Sequence, residues 1–188
     1  MAWIDVIDEA EADGELKSVF ESILKTRGKM SNIVRVQSLN ARALKAHMDL
    51  YAHTLYGKMS LRRADRELIG VVVSVANQCS YCIHHHAQAL NAFWKDSDRV
   101  AVILDDYRNA ELSDARMALC TFAVHLTSSA SKSKEADVLL LRDAGYSDED
   151  ILNITLITGY FNFVNRIALA LGVEYNDSEL SGYRFEDE

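Results

Sequence analysis

Residues 66–87 read RELIGVVVSVANQCSYCIHHHA, and the fold turns on how this stretch is read. Its apolar part, LIGVVVSV, is rich in β-branched residues, which favour strands. Yet apolar and polar residues do not alternate, and the run continues a polar lead-in, RRADRE. Length and lead-in together predict a buried helix over about residues 62–76. The polar part then packs two cysteines and three histidines into the eight positions from Cys79 to His86, where a further helix running to about Trp94 is predicted. With a helix advancing about 100° per residue from Cys79, Cys82 falls near −60° and His86 near −20°. His84 and His85 fall near 140° and −120° on the same scale, off that face. The unit to explain is therefore Cys79-x2-Cys82-x3-His86, with His84 and His85 as surface or subunit-contact bystanders.

The rest of the chain fits the same helical reading. It has 188 residues, no proline and only eight glycines. Helical spacing marks about 15–27, stopped by Gly28, and Asn40 to Tyr56, stopped by Gly57. Ser60 looks like the cap of the helix that carries LIGVVVSV. Asp96 or Ser97 opens a short helix through Leu104, Ser113 caps DARMALCTFAVHL, and Ser133 opens KEADVLLLRDA, closed by Gly145. Ser147 with Asp150 resembles a capping box for a last helix over about 148–171. The expected fold is all-α, a single domain of about seven or eight helices with its core at about 15–175. An acidic tail, 174–188, carries Tyr175, Tyr183 and Phe185, either frayed or packed on a neighbouring subunit.

Composition narrows the function. The net charge of −8 argues against nucleic acid or an anionic membrane as partner. No apolar run approaches the roughly 20 residues that span a bilayer. MAWIDVIDEAEADGE is acidic and lacks a basic-then-apolar signal pattern, so a cytoplasmic location is expected. Thiols are kept reduced there, and a close cysteine pair is then catalytic or metal-binding rather than a structural staple. A structural zinc site wants four ligands, and no second Cys-x2-Cys or His-x3-His pair is present.

A helix start suits redox chemistry. Its unsatisfied N–H groups and dipole stabilise a thiolate, and a Cys-x-x-Cys pair lowers a thiol pKa further. His86 can accept or relay the thiol proton. Glu67, twelve residues before Cys79, can point at the cysteines if the two helices pack antiparallel. A partly buried carboxylate there would have a raised pKa and act as a proton acceptor. The bland alternative for Glu67 is a helix-surface ion pair with Arg63, four residues earlier.

Glu67, then Cys79-Ser80-Tyr81-Cys82, then His86 resembles the Glu…Cys-x-x-Cys-x-x-x-His signature of the AhpD-like alkylhydroperoxidases, within the carboxymuconolactone decarboxylase-like superfamily. The flanking RELIGVVVSVANQCSYC and the late FNFVNRIALALGVE resemble its peroxidase-related branch. The resemblance implies an all-helical homo-oligomer and a peroxidase cycling between dithiol and disulfide, with no cofactor beyond its Cys79–Cys82 pair. By position it makes Cys82 the peroxidatic thiol, Cys79 the resolving one, and Glu67 with His86 the proton relay. The partners are then a small peroxide and a dithiol reductant that the sequence does not name. One departure is Tyr81, where characterised members often have a histidine. Two other activities stay open: a general thiol–disulfide oxidoreductase or redox sensor, and a lyase of the superfamily, whose chemistry needs no dithiol.

Other residues carry weaker signals. Cys120 sits in an apolar pattern, ALCTFAV, and reads as a buried small hydrophobe. His47, His53 and His125 read as ordinary helix residues. Thr158, Asn162, Asn165 and Arg166 share a stripe that suggests a polar pocket or a subunit contact. Leu68, Ile69, Val72, Phe93 and Trp94 read as core more readily than as the wall of a substrate pocket.

Overall fold

The computed structural model describes residues 2–176 and 179. Among these residues the chain forms nine α-helices and no strand. They are α1 (Gly14–Arg27), α2 (Asn32–Arg35), α3 (Ala41–Tyr56), α4 (Arg63–Ala76), α5 (Ser80–Trp94), α6 (Ser97–Asp106), α7 (Asp114–Ser129), α8 (Glu135–Asp143) and α9 (Asp148–Ala170). The all-α expectation holds. The four-residue α2 is the helix that periodicity missed, being too short to show a period. None of these helices is long and apolar enough to cross a membrane.

α4 is the central element. It packs against α5, α7 and α9, and its residues Arg66 to Ser74 are all buried. Burial on every side explains why LIGVVVSV has no polar face and why its β-branched residues tolerate a helix. The start of α4 is tied down by Arg66, which donates to the carbonyls of Leu61 (2.9 Å), Leu55 (2.8 Å) and Gly57 (3.0 Å). Ser60 does not cap α4. Its hydroxyl donates to Asp150 of α9, whose own capping box with Ser147 is formed as expected. Ser133 likewise lies one residue ahead of the position that caps α8, Lys134.

The junction of α4 and α5 places the first cysteine. Gln78 takes a left-handed conformation (φ 55°), its N–H bonds to the Val75 carbonyl, and the Cys79 N–H bonds to the Ser74 carbonyl, both at 3.0 Å. This is a Schellman ending with a non-glycine residue at the left-handed position. It reverses the chain so that α5 runs back along α4.

α9 packs on α4 at a point of close approach. A Cβ on Gly70 would lie 2.6 Å from Cζ of Phe161, a fully buried ring. The same ring meets His86 edge-on at 4.5 Å between centroids. Gly70 thus lets Phe161 sit deep enough to back His86. Gly70→Ala is expected to destabilise the chain by about 1–3 kcal/mol through overpacking. Urea unfolding measures it, and a midpoint equal to the parent's would contradict this account of the contact.

Candidate active site

Cys79 occupies the N-cap position of α5 and Cys82 lies one turn on. Both are free thiols and both are buried. The Cys82 thiol donates to Cys79 and holds the Cys79 pKa down against burial, while that bond and burial push Cys82 up. Such a pair gives up one proton readily and keeps the second, and the charge belongs to the pair. The two sulfurs differ in access. Cys82 lines a cavity of about 540 Å³ together with Glu67, His85 and His86, whereas Cys79 sits behind it.

Glu67 and His86 meet across the packing of α4 and α5. His86 Nδ1 donates to Glu67 Oε2 at 2.7 Å. That leaves Nε2 as the ring nitrogen able to exchange a proton with the cavity. The other carboxylate oxygen, Oε1, accepts from Arg63 Nε (3.0 Å) and Nη2 (2.5 Å). The Arg63 pair therefore exists, but it is buried, with side-chain exposures of 8% and 1%. The expectation of a raised Glu67 pKa is corrected. Burial pushes it up, but attraction and hydrogen bonds from His86 and Arg63 outweigh burial and leave it lowered. Glu67 is a fixed anion that holds the His86 ring by its Nδ1, not a proton acceptor for solvent.

The two remaining histidines part company. His84 is exposed, bonded through Nδ1 to the Ser80 carbonyl (2.8 Å) and through Nε2 to the Tyr175 hydroxyl (2.7 Å). His85 is no bystander. Its ring stacks on Tyr81 at 4.3 Å, its Nε2 lies 3.3 Å from Glu179, and it lines the cavity. The helical wheel ranked it against Cys79, but only Cys82 faces the cavity, and His85 lies just about 60° from Cys82.

Glu179 itself is buried, accepting from the Tyr81 hydroxyl (2.6 Å) and the Asn32 N–H (2.9 Å). Tyr81, the departure from the family pattern, thus holds the acidic tail rather than a proton path. Tyr175 packs on His84 of its own chain, while Tyr183 and Phe185 lie outside the described residues.

Further residues around the site were not legible in sequence. His47 is buried, lines the cavity, and bonds Gln37 and Tyr160, each at 2.9 Å. Its partner Tyr160 is 113 positions away, so no local spacing could signal the pair. The stripe on α9 is neither pocket wall nor outward patch. Asn162 and Asn165 accept from Asn77 of α4, at 3.0 and 3.2 Å. Asn162 donates to Thr127 of α7 at 2.9 Å, Asn165 to Ser74 of α4 at 3.3 Å. Thr158 is buried against its own helix, and Arg166 is exposed and bonds Asn162. The stripe is a polar seam joining three helices, and Asn165 also donates to the Cys82 sulfur. Leu68, Ile69 and Val72 are core, and Phe93 and Trp94 pack beside Arg63 and Arg99, so none of the five walls the cavity. Cys120 is fully buried, with its thiol pushed up by that burial. Among the described residues, no three His, Cys, Asp or Glu side chains converge as metal ligands.

Known proteins share this family and this fold. Residues 41–123 match the model of the carboxymuconolactone decarboxylase family. The chain is similar to a peroxidase-related protein from Silicibacter sp. TM1040, with 30% identity, 95% of each chain covered and a TM-score of 0.82. An AhpD-core, peroxidase-related protein from Ralstonia eutropha JMP134 superposes with a TM-score of 0.86 at 24% identity, covering 95% of this chain and 94% of that one. An uncharacterised protein of Bacillus subtilis (strain 168), YdfG, is 26% identical over 144 residues, 76% of this chain and 96% of its own length. The chain belongs to the AhpD-like carboxymuconolactone decarboxylase superfamily, a family of enzymes.

The His47 bonds have a measurable consequence. Burial first, and the Arg27 charge second, lower its pKa from 6.5 to about 4. The folded state then binds fewer protons than the unfolded state between these values. Stability is full above about pH 6.5 and falls by about 3 kcal/mol as pH drops toward 4. His47→Gln is expected to flatten that part of the profile, measured as urea stability against pH. An unchanged slope would show that His47 does not titrate as its burial requires.

Proposed function

We propose that the chain is a thiol-dependent peroxidase reducing alkyl or hydrogen peroxides. The observation that carries this is the meeting, at one cavity, of the Cys82 sulfur and a His86 imidazole held by a buried carboxylate. The Cys79–Cys82 pair gives one proton to His86 and keeps the other on Cys79, and the cavity-facing Cys82 attacks a peroxide oxygen. The S–O bond forms and the O–O bond breaks. Cys82 is oxidised to a sulfenic acid and an alkoxide leaves. His86 passes that proton to the alkoxide through Nε2, while Glu67 holds the ring by its Nδ1. Cys79 then attacks the sulfenic sulfur, forming the Cys79–Cys82 bond and releasing water. An external dithiol reopens that bond by exchange.

The intact dithiol supports this reading over a lyase, and the place of Cys82 in the cavity lining supports turnover over slow sensing. The same proposal makes the protein a cytoplasmic homo-oligomer that needs no bound cofactor. A second copy would cover the stripe of Leu152, Leu156 and Phe163 on α9, which are 57%, 48% and 45% exposed.

One equivalent of cumene hydroperoxide is expected to remove two free thiols per chain. Cys82→Ser is expected to abolish that loss, and the proposal is abandoned if this variant consumes peroxide as fast as the parent. His86→Ala is expected to slow the first oxidation by about 10²-fold, the lower range for loss of a general acid–base. Stopped-flow measurement of that step gives the comparison.

A further inference from the structure

The mechanism above uses neither His47 nor Tyr160, yet both line the cavity with Cys82 and His86. Their hydrogen bonds have a fixed direction. Gln37 contacts the Ile33 carbonyl at 2.6 Å, and a carbonyl only accepts, so the contacting atom is the Gln37 amide nitrogen. The Gln37 oxygen is then the atom 2.9 Å from His47 Nδ1. It must accept, which places the His47 proton on Nδ1. The lowered pKa of His47 keeps that ring neutral, so Nε2 is bare and accepts the proton of the Tyr160 hydroxyl, 2.9 Å away. Burial also pushes the Tyr160 phenol well up, with Tyr51 and Cys82 adding to it, so that proton is not lost. The chain Ile33–Gln37–His47–Tyr160 runs one way only. Its end is a phenol oxygen whose single proton is committed backwards and whose lone pairs remain to accept from a bound molecule.

We propose that the Tyr160 oxygen is the acceptor that orients a hydroperoxide in the cavity, and that His47 is the positioning residue that keeps it an acceptor. The hydroperoxide O–H donates to Tyr160. That holds the terminal oxygen, the one carrying hydrogen, toward Cys82, and turns the alkoxide side toward His86. When Cys82 attacks, the O–O electron pair leaves on the alkoxide oxygen, which takes its proton from His86. The O–H proton stays on the transferred oxygen as Cys82–S–O–H, so the Tyr160 hydroxyl gains and loses nothing. The substrate class is a molecule ending in O–O–H. Ile23, Val34, Met48 and Val164 give the same cavity apolar wall for its organic part.

This inference rests on the peroxidase reading, and the test separates the two. Two rates are measured at Cys82 in the parent, Tyr160→Phe and His47→Gln: oxidation by cumene hydroperoxide, and alkylation by iodoacetamide followed by mass spectrometry of the Cys82 peptide. Alkylation needs the thiolate and access but no O–H acceptor. Tyr160→Phe is expected to lower the oxidation rate about tenfold, in line with the loss of one hydrogen bond, with alkylation unchanged. His47→Gln, which can still accept from Tyr160, is expected to retain more of the rate than Tyr160→Phe. If the parent is alkylated but not oxidised, the peroxidase reading falls and this one with it. If the parent is oxidised and both variants keep its ratio of oxidation to alkylation, the Tyr160 assignment alone is overturned. Should Tyr160→Phe fail to fold, His47→Leu carries the same test through the ratio, since it frees the Tyr160 proton.

Discussion

A carboxylate with 1% of its side chain exposed lies between a guanidinium and an imidazole, and the site is organised around that charge. A lone buried anion is costly, so Glu67 stays ionised only because Arg63 and His86 both bond to it. The three belong to two helices, and the Glu67–His86 bond constrains how those helices lie. Arg63 and Glu67 are one turn apart on α4, and His86 projects from α5 across the interface. The same contact that compensates a buried charge therefore sets the orientation of the imidazole beside the cysteines. Charge compensation and positioning are one interaction here.

The surroundings of that line are apolar and tight. Phe161 backs His86, and it reaches that depth because Gly70 on α4 has no side chain to stop it. The Schellman ending after α4 spends a left-handed residue, Gln78, to bring Cys79 directly onto the start of α5. Backbone geometry thus places the sulfurs, core packing fixes the imidazole, and the seam of Asn77, Asn162 and Asn165 holds α9 against both. Water is kept from most of this assembly, which strengthens every hydrogen bond within it.

The cavity gives the site its asymmetry. Only one of two near-equivalent sulfurs faces it, and its far walls come from α1 and α3, which contribute nothing to the Cys-x-x-Cys unit. Behind Tyr81, which lines the cavity, Glu179 accepts from the Tyr81 hydroxyl and the Asn32 N–H. Glu179 is thereby coupled to one of the two residues between the cysteines, a link made possible by the phenol at position 81, which reaches the carboxylate at 2.6 Å.

What the sequence determined by itself is whatever depends on short-range spacing. Period and capping residues placed the larger helices, and the step of about 100° per residue put Cys79, Cys82 and His86 on one face. Glu67 was legible because one turn between two helices leaves few ways to pack them. The sign of its pKa shift was not, because burial and pairing oppose each other and only the partner distances decide between them. Tertiary structure alone decided that His85 belongs to the cavity, that the α9 stripe is an internal seam, and that His47 meets Tyr160. It also decided that Glu179 reaches Tyr81. These partners are 35 to 113 positions apart, and no local pattern encodes which distant side chain will satisfy a buried polar group. Spacing can specify which face a residue occupies, but what that face meets follows only from the packing of the whole core.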